Sequence, residues 1–145
     1  MPQKILIIDD EMDMLMLLRM IIEDNTEHRV ETTNSPSEGL KLFKDKEIDL
    51  VITDLKMPGM DGLELFAELK ELKPEVPVII ITAYGSSEVA ASALKKGVKD
   101  FIAKPFRKTD ILFTINRVLE FSQLQKENLK LKKMLEEKAK AEEQQ

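Results

Sequence analysis

Five short β-rich runs recur along this chain, at Lys4–Ile8, Arg29–Thr33, Asp49–Thr53, Val76–Thr82 and Val98–Ala103, each separated from the next by a helical pattern. Strand–helix alternation of this kind predicts a parallel sheet, because a strand that returns in the same direction needs a crossover, and a helix is the usual one. The runs "ILII", "LVI" and "VIII" are continuous rather than alternating, as strands buried on both faces require, while "RVETT" is polar enough for an edge. The expected fold is therefore α/β, a three-layer sandwich with helices on both faces of the sheet.

The connecting segments carry helix signals of their own. After Asp10, Leu15, Leu18 and Ile22 form one stripe, widened by Met14 and Ile21. "SPSE" reads as a capping box, with Ser35 as N-cap, Pro36 at the first helical position and Glu38 three residues after the cap. Helices over Gly62–Leu72 and Ser86–Lys96 follow, the second stopped by Gly97. A final helix begins near Thr109 and meets no Gly or Pro to stop it. From Phe121 its apolar spacing becomes heptad-like, through Leu124, Asn128, Leu131 and Leu135. The chain divides accordingly into a globular domain over 1–120 and a coiled-coil segment over 121–145. Asn at an a position, and Glu127 at g facing Lys132 at e, favour a parallel homodimer through 121–135.

Composition removes several classes of function. The net charge is −5, and it is concentrated in the globular part, which argues against direct nucleic-acid binding by this segment. The longest apolar stretch lies within Met12–Ile22, contains Arg19 and falls short of the roughly 20 residues a bilayer span needs. No secretory signal is visible and there are no cysteines, consistent with a cytoplasmic location. With a single histidine, His28, expected in an exposed loop, histidine-based triads are excluded. Met12, Met14, Met16 and Met20 read as core and surface filler of the first helix.

In a parallel sheet all strands exit on one edge, and ligands bind there. The exits carry Asp9 and Asp10, Asp54, Thr82 and Lys104. Three carboxylates brought together repel unless a cation joins them. With oxygen donors and no His or Cys in the set, the suitable ion is Mg²⁺. Thr82 and Lys104 offer a hydroxyl and an ammonium to an anion, and a carboxylate nucleophile beside Mg²⁺ and a lysine is the arrangement for an aspartyl phosphate.

Taken in order, "ILIIDDE", "VITDLKMPGMDG", "VIIITA" and "DFIAKPF" resemble the receiver domain of two-component response regulators over roughly residues 3–120. "DLKMPGMDGLELF" and the later "ENLKLKKML" are most similar to receivers of NtrC-type, sigma-54-dependent activators. The resemblance implies a flavodoxin-like (βα)5 fold with sheet order 2-1-3-4-5. It also implies that Asp54 accepts a phosphoryl group from a sensor histidine kinase. Asp9 and Asp10 would then form the acidic pair of the Mg²⁺ site, and Lys56 would lend its backbone carbonyl. Thr82 matches the switch hydroxyl, Phe101 the aromatic that turns inward behind it, and Lys104 the family's lysine, followed by a cis proline at Pro105. Lys56 and Tyr84 match positions that tune phosphoryl lifetime, and the readout would be a repacked surface around the fourth helix, fifth strand and fifth helix, a second dimer face. On this reading the chain is a signalling phosphoacceptor that catalyses only its own phosphorylation and dephosphorylation, with its output domain, of transcriptional type, lying elsewhere.

Other classes fit less well. A haloacid-dehalogenase-like phosphatase wants a second Asp two residues after the first, where this chain has Lys56. A dinucleotide-binding domain wants GxGxxG after the first strand, which is missing. A docking module that no longer takes phosphate has no need of the complete Asp9, Asp10, Asp54, Thr82 and Lys104 set.

Overall fold

The computed structural model describes residues 2–144. Its elements alternate strictly: β1 (Lys4–Ile8), α1 (Met12–Asn25), β2 (Arg29–Thr33), α2 (Pro36–Asp45), β3 (Leu50–Thr53), α3 (Gly62–Leu72), β4 (Val78–Thr82), α4 (Ser87–Lys96), β5 (Asp100–Ala103) and α5 (Lys108–Glu143). All strands are parallel and lie in the order β2-β1-β3-β4-β5, the flavodoxin-like arrangement.

Successive strand residues point to opposite faces, and both faces are buried. Ile5, Ile7, Leu50, Ile52, Ile79 and Ile81 pack beneath α1 and α5, against Leu15, Leu18, Ile22, Ile111 and Ile115. Leu6, Ile8, Val51, Val78 and Ile80 face the other way, onto Phe43, Leu65, Phe66, Leu69 and Ala93 of α2, α3 and α4. This explains the unbroken apolar runs, since every position of a central strand loses its water. Each such side chain contributes roughly 1.5–3 kcal/mol on burial. β2, with its partly exposed "RVETT", is an edge strand as its polarity predicts.

Three strands start later than the apolar pattern predicts. β3 begins at Leu50: Asp49 still donates its N–H across to the Lys4 carbonyl at 2.8 Å, but the Lys4 N–H goes to the Asp49 carboxylate, at 2.9 Å, rather than to a backbone carbonyl. β4 begins at Val78 because Pro77 has no N–H to give to a ladder. β5 begins at Asp100 because the Val98 N–H is bonded to the Ala93 carbonyl at 3.1 Å, closing the end of α4. Gly97 makes that closure possible by taking φ 115°, a left-handed conformation that side chains disfavour.

Helix starts follow local hydrogen bonding. Ser35 accepts the Glu38 N–H at 3.4 Å, but its own N–H goes to the Thr33 hydroxyl at 3.2 Å, so only half of the expected capping box forms. Asp61 and Ser86 cap α3 and α4 by accepting the Glu64 and Val89 N–H groups at 2.8 and 3.2 Å. On α1, Leu15, Leu18, Ile21 and Ile22 are buried, while Met12, Met16 and Met20 stand exposed on the opposite side. His28 is half-buried rather than exposed, because its Nδ1 accepts the Gln3 N–H at 3.0 Å. Burial lowers its pKa, with Asp49 and Glu27 opposing.

α5 runs unbroken for 36 residues, about 54 Å at the α-helical rise. Its buried side chains end at Leu119, and beyond it Phe121, Leu124, Leu131 and Leu135 are all more than half exposed. Leu129 and Met134, off the heptad stripe, are exposed as well.

Candidate functional site

The winding of the sheet reverses between β1 and β3, and that switch point places the ends of these two strands over a crevice. Backbone bonding carries the ladder one residue past each strand: Asp54 N–H to the Ile8 carbonyl at 3.2 Å, and Lys104 N–H to the Thr82 carbonyl at 2.9 Å. The side chains that follow are thereby fixed rather than left on loose loops. Asp9, Asp10 and Asp54 each present a carboxylate oxygen within 4.8 Å of the others. Asp9 and Asp54 are buried and Asp10 is exposed.

Lys104 binds this cluster directly. Its Nζ lies 3.0 Å from Asp54 Oδ2 and 3.5 Å from Asp9 Oδ2. The other oxygen of Asp54 accepts the Lys56 N–H at 3.3 Å, and Asp9 Oδ1 accepts the Glu11 N–H at 2.9 Å. Asp9 thus bonds the chain ahead of α1, but the N-cap position of that helix belongs to Glu11. The Lys104–Pro105 peptide is cis.

The titration behaviour follows from this crowding. Burial is the main reason the Asp9 pKa rises; the Glu11 N–H and Lys104 pull it down, and the charges of Asp54 and Asp10 push it up. For Lys104, burial alone would favour the neutral amine. The hydrogen bond to Asp54 and the charges of Asp9, Asp54 and Glu11 outweigh it, so its pKa rises. One lysine among three carboxylates leaves a net negative site. An all-oxygen donor set of that charge and spacing fits Mg²⁺.

Above Asp54 a cavity of about 480 Å³ opens to solvent, lined by Asp10, Glu11, Asp54, Lys56, Met57, Pro58, Asp61 and Tyr84. Across its mouth the Lys56 ammonium sits 4.8 Å from the centre of the Tyr84 ring. A depression of similar size, about 490 Å³, lies between α2 and α3, but its lining of Leu40, Leu72 and solvated Lys and Glu side chains brings no reactive groups together.

The strand-end residues therefore do not all meet. Asp9, Asp10, Asp54 and Lys104 converge, and Lys56 adjoins them. Thr82, fully buried, has its hydroxyl turned into its own loop, where it accepts the Tyr84 N–H at 3.1 Å. Phe101 is half-buried on the α4 side of the sheet, packed on that core. Sequence reasoning identified Lys56 and Tyr84 separately and missed their contact across the cavity. It also aimed Lys104 at an incoming anion, where the lysine here pairs with the carboxylates themselves.

A parallel (βα)5 sheet with three carboxylates and a lysine at its switch point defines a receiver domain. Residues 5–116 match the family "Response regulator receiver domain", and the chain belongs to that family. Its relatives place it close to NtrC-type activators. It is 40% identical over 121 residues to the transcriptional regulatory protein GlrR of Escherichia coli, covering 83% of this chain and 27% of that protein. It is 33% identical over 119 residues to the chemotaxis protein CheY of Bacillus subtilis, covering 82% of this chain and 99% of the other. Among solved structures, NtrX from Brucella abortus in complex with ADP superimposes with a TM-score of 0.85 at 36% identity, over 90% of this chain and 30% of NtrX. The chain thus spans little more than a quarter of the GlrR length. Domains of this family are signalling modules rather than enzymes in the usual sense, and they bind Mg²⁺ through an acidic pocket.

The raised pKa of Asp9 yields a stability prediction. In the window where Asp9 is protonated in the folded chain but ionised in the unfolded one, folding takes up protons, so its contribution falls as pH rises through that window. An Asn at this position keeps an oxygen for the Glu11 N–H and carries no charge. Asp9→Asn is expected to raise the thermal midpoint by a few degrees at neutral pH in metal-free buffer. The advantage shrinks as the buffer is acidified and the parent carboxyl takes up its proton too. An equal advantage at every pH would refute it.

Proposed function

We propose that Asp54 is the phosphoacceptor, receiving the phosphoryl group of a sensor histidine kinase. The observation that supports this most is its setting: a buried carboxylate whose two oxygens are aimed by Lys104 Nζ and the Lys56 N–H, on the floor of a cavity open to solvent. In the transfer, the P–N bond of the donor phosphohistidine breaks with its electron pair returning to the imidazole, and a P–O bond forms to Asp54. Mg²⁺ held by Asp9, Asp10, Asp54 and the Lys56 carbonyl would offset the phosphoryl charge. Lys104 exchanges an Asp54 oxygen for a phosphoryl oxygen, its charge staying in place as about two negative charges arrive. Thr82 releases the Tyr84 N–H and turns its hydroxyl to the phosphoryl group, and Phe101 moves inward behind it. Hydrolysis of the aspartyl phosphate resets the site, so the chain catalyses only its own modification and its reversal.

The remaining partners follow from the same reading. Residues 1–120 form the receiver and 121–145 a coiled-coil linker to an output of transcriptional type, as in the regulators of GlrR kind; this segment itself does not contact nucleic acid. Among the described residues no helix is long and apolar enough to cross a membrane. A cytoplasmic site of action fits a partnership with a kinase domain. Dimerisation rests on the exposed stripe of Phe121, Leu124, Leu131 and Leu135, with Phe113 and Leu94 exposed on the α4-β5-α5 face as a second surface. Tyr84 and Lys56 would shield the phosphoryl group from water.

Three measurements test these assignments. Incubation with acetyl phosphate and Mg²⁺ is expected to add one phosphoryl mass to the parent and none to Asp54→Asn; an unmodified parent removes the reading. Decay of that added mass is expected to be several-fold faster in Tyr84→Ala, and equal rates would remove the shielding role. Sedimentation should give a dimer for 1–145 and a weaker or absent one for a chain ending at Glu120, whereas an unchanged oligomer would place the contact elsewhere.

A further inference from the structure

Gly85 stands in the loop between Thr82 and the Ser86 cap of α4, and nothing in its backbone requires a glycine. The glycines with positive φ are Gly59 and Gly97, so Gly85 holds a conformation open to any residue. What it lacks is room. A Cβ at position 85 would overlap Cε1 of Phe101, stand 2.6 Å from its Cζ, and lie 3.5 Å from Cγ2 of Thr82. The ring edge of Phe101 therefore occupies the volume that any other residue at 85 would fill, beside the Thr82 methyl.

We propose that Gly85 is a positioning residue that sets the balance between the two arrangements of the phosphorylation switch, by leaving the Phe101 ring a seat in the phosphate-free state. This rests on the assignment of Thr82 and Phe101 as the moving parts. The coupling is short and physical. The Thr82 hydroxyl accepts the Tyr84 N–H at 3.1 Å, so turning it towards a phosphoryl group releases the loop that carries Gly85. Loop movement alters the wall against which the ring rests. A methyl group at 85 removes the seat without phosphorylation, and the ring or the loop must leave. Only differential contact with the two states shifts such a balance, and on this proposal the ring edge would meet Gly85 in the phosphate-free one alone.

Fluorine NMR of chain labelled with meta-fluorophenylalanine reads this directly, since six Phe are present and Phe101→Leu assigns the one that matters. In phosphate-free Gly85→Ala the Phe101 resonance is expected to move roughly half or more of the way to the position it takes in the parent after acetyl phosphate and Mg²⁺. Labelling of Asp54 by acetyl phosphate should be about threefold faster or more, as expected for a larger competent population. In the Phe101→Leu background Gly85→Ala should change neither the labelling rate nor the other Phe resonances, because the overlapping ring edge is gone. A Phe101 resonance left at its parental position in phosphate-free Gly85→Ala overturns the proposal. Should Gly85→Ala alone fail to fold, a folded double variant with Phe101→Leu supports the steric pairing, and an unfolded one overturns it. If the parental resonance ignores phosphorylation, the switch role of Phe101 fails, while the phosphate-free comparison still judges the contact.

Discussion

One ammonium group holds the charged end of this sheet together. Lys104 Nζ lies 3.0 Å from Asp54 and 3.5 Å from Asp9, both almost wholly out of water. Two buried carboxylates a few ångströms apart would not both remain ionised without such a partner. The ion pair ties β5 to β1 and β3 across the carboxyl edge, which is the direction in which all five strands point. The parallel topology is thus the reason the charges meet, and the lysine is what makes their meeting tolerable. The site remains net negative, so it is poised for a further cation and for an anion that can share the lysine.

Much of the fold could be read from residue pattern. The apolar runs located the three central strands because these are buried on both faces, and the polarity of "RVETT" revealed an edge for the converse reason. Strand starts were less legible. Pro77, Asp49 and Val98 each belong to an apolar or β-rich run, yet the strands start after them: the Asp49 carboxylate takes the Lys4 N–H, the Val98 N–H goes to Ala93, and Pro77 has no N–H. Ser35 shows the same limit, since its N–H was claimed by Thr33 rather than by Glu38. Competition for a backbone donor depends on what folding brings near it.

The site divides similarly. Asp9, Asp10, Asp54 and Lys104 were identifiable as strand-end charges, and the sheet does bring them together. Their pairing was not identifiable: nothing in "DFIAKPF" says that its lysine reaches Asp9 and Asp54. Nor did spacing place the Lys56 ammonium over Tyr84, or the Phe101 ring edge against Gly85. These contacts join residues 28 and 16 positions apart, on loops and strands whose approach is set by packing of the sheet against α3 and α4.

By itself the sequence determined where the strands and helices lie, to within a residue or two at the strand starts, which faces lose water, and that five charged or hydroxyl groups exit on one edge. It could do so because side-chain periodicity and strand direction are local properties of the chain. Only the tertiary structure decided that Lys104 neutralises the carboxylates, that Thr82 turns its hydroxyl into its own loop, and that Gly85 gives its space to Phe101. Those outcomes depend on distances between segments far apart in the chain, where burial and Coulomb attraction act between groups that no sequence spacing relates.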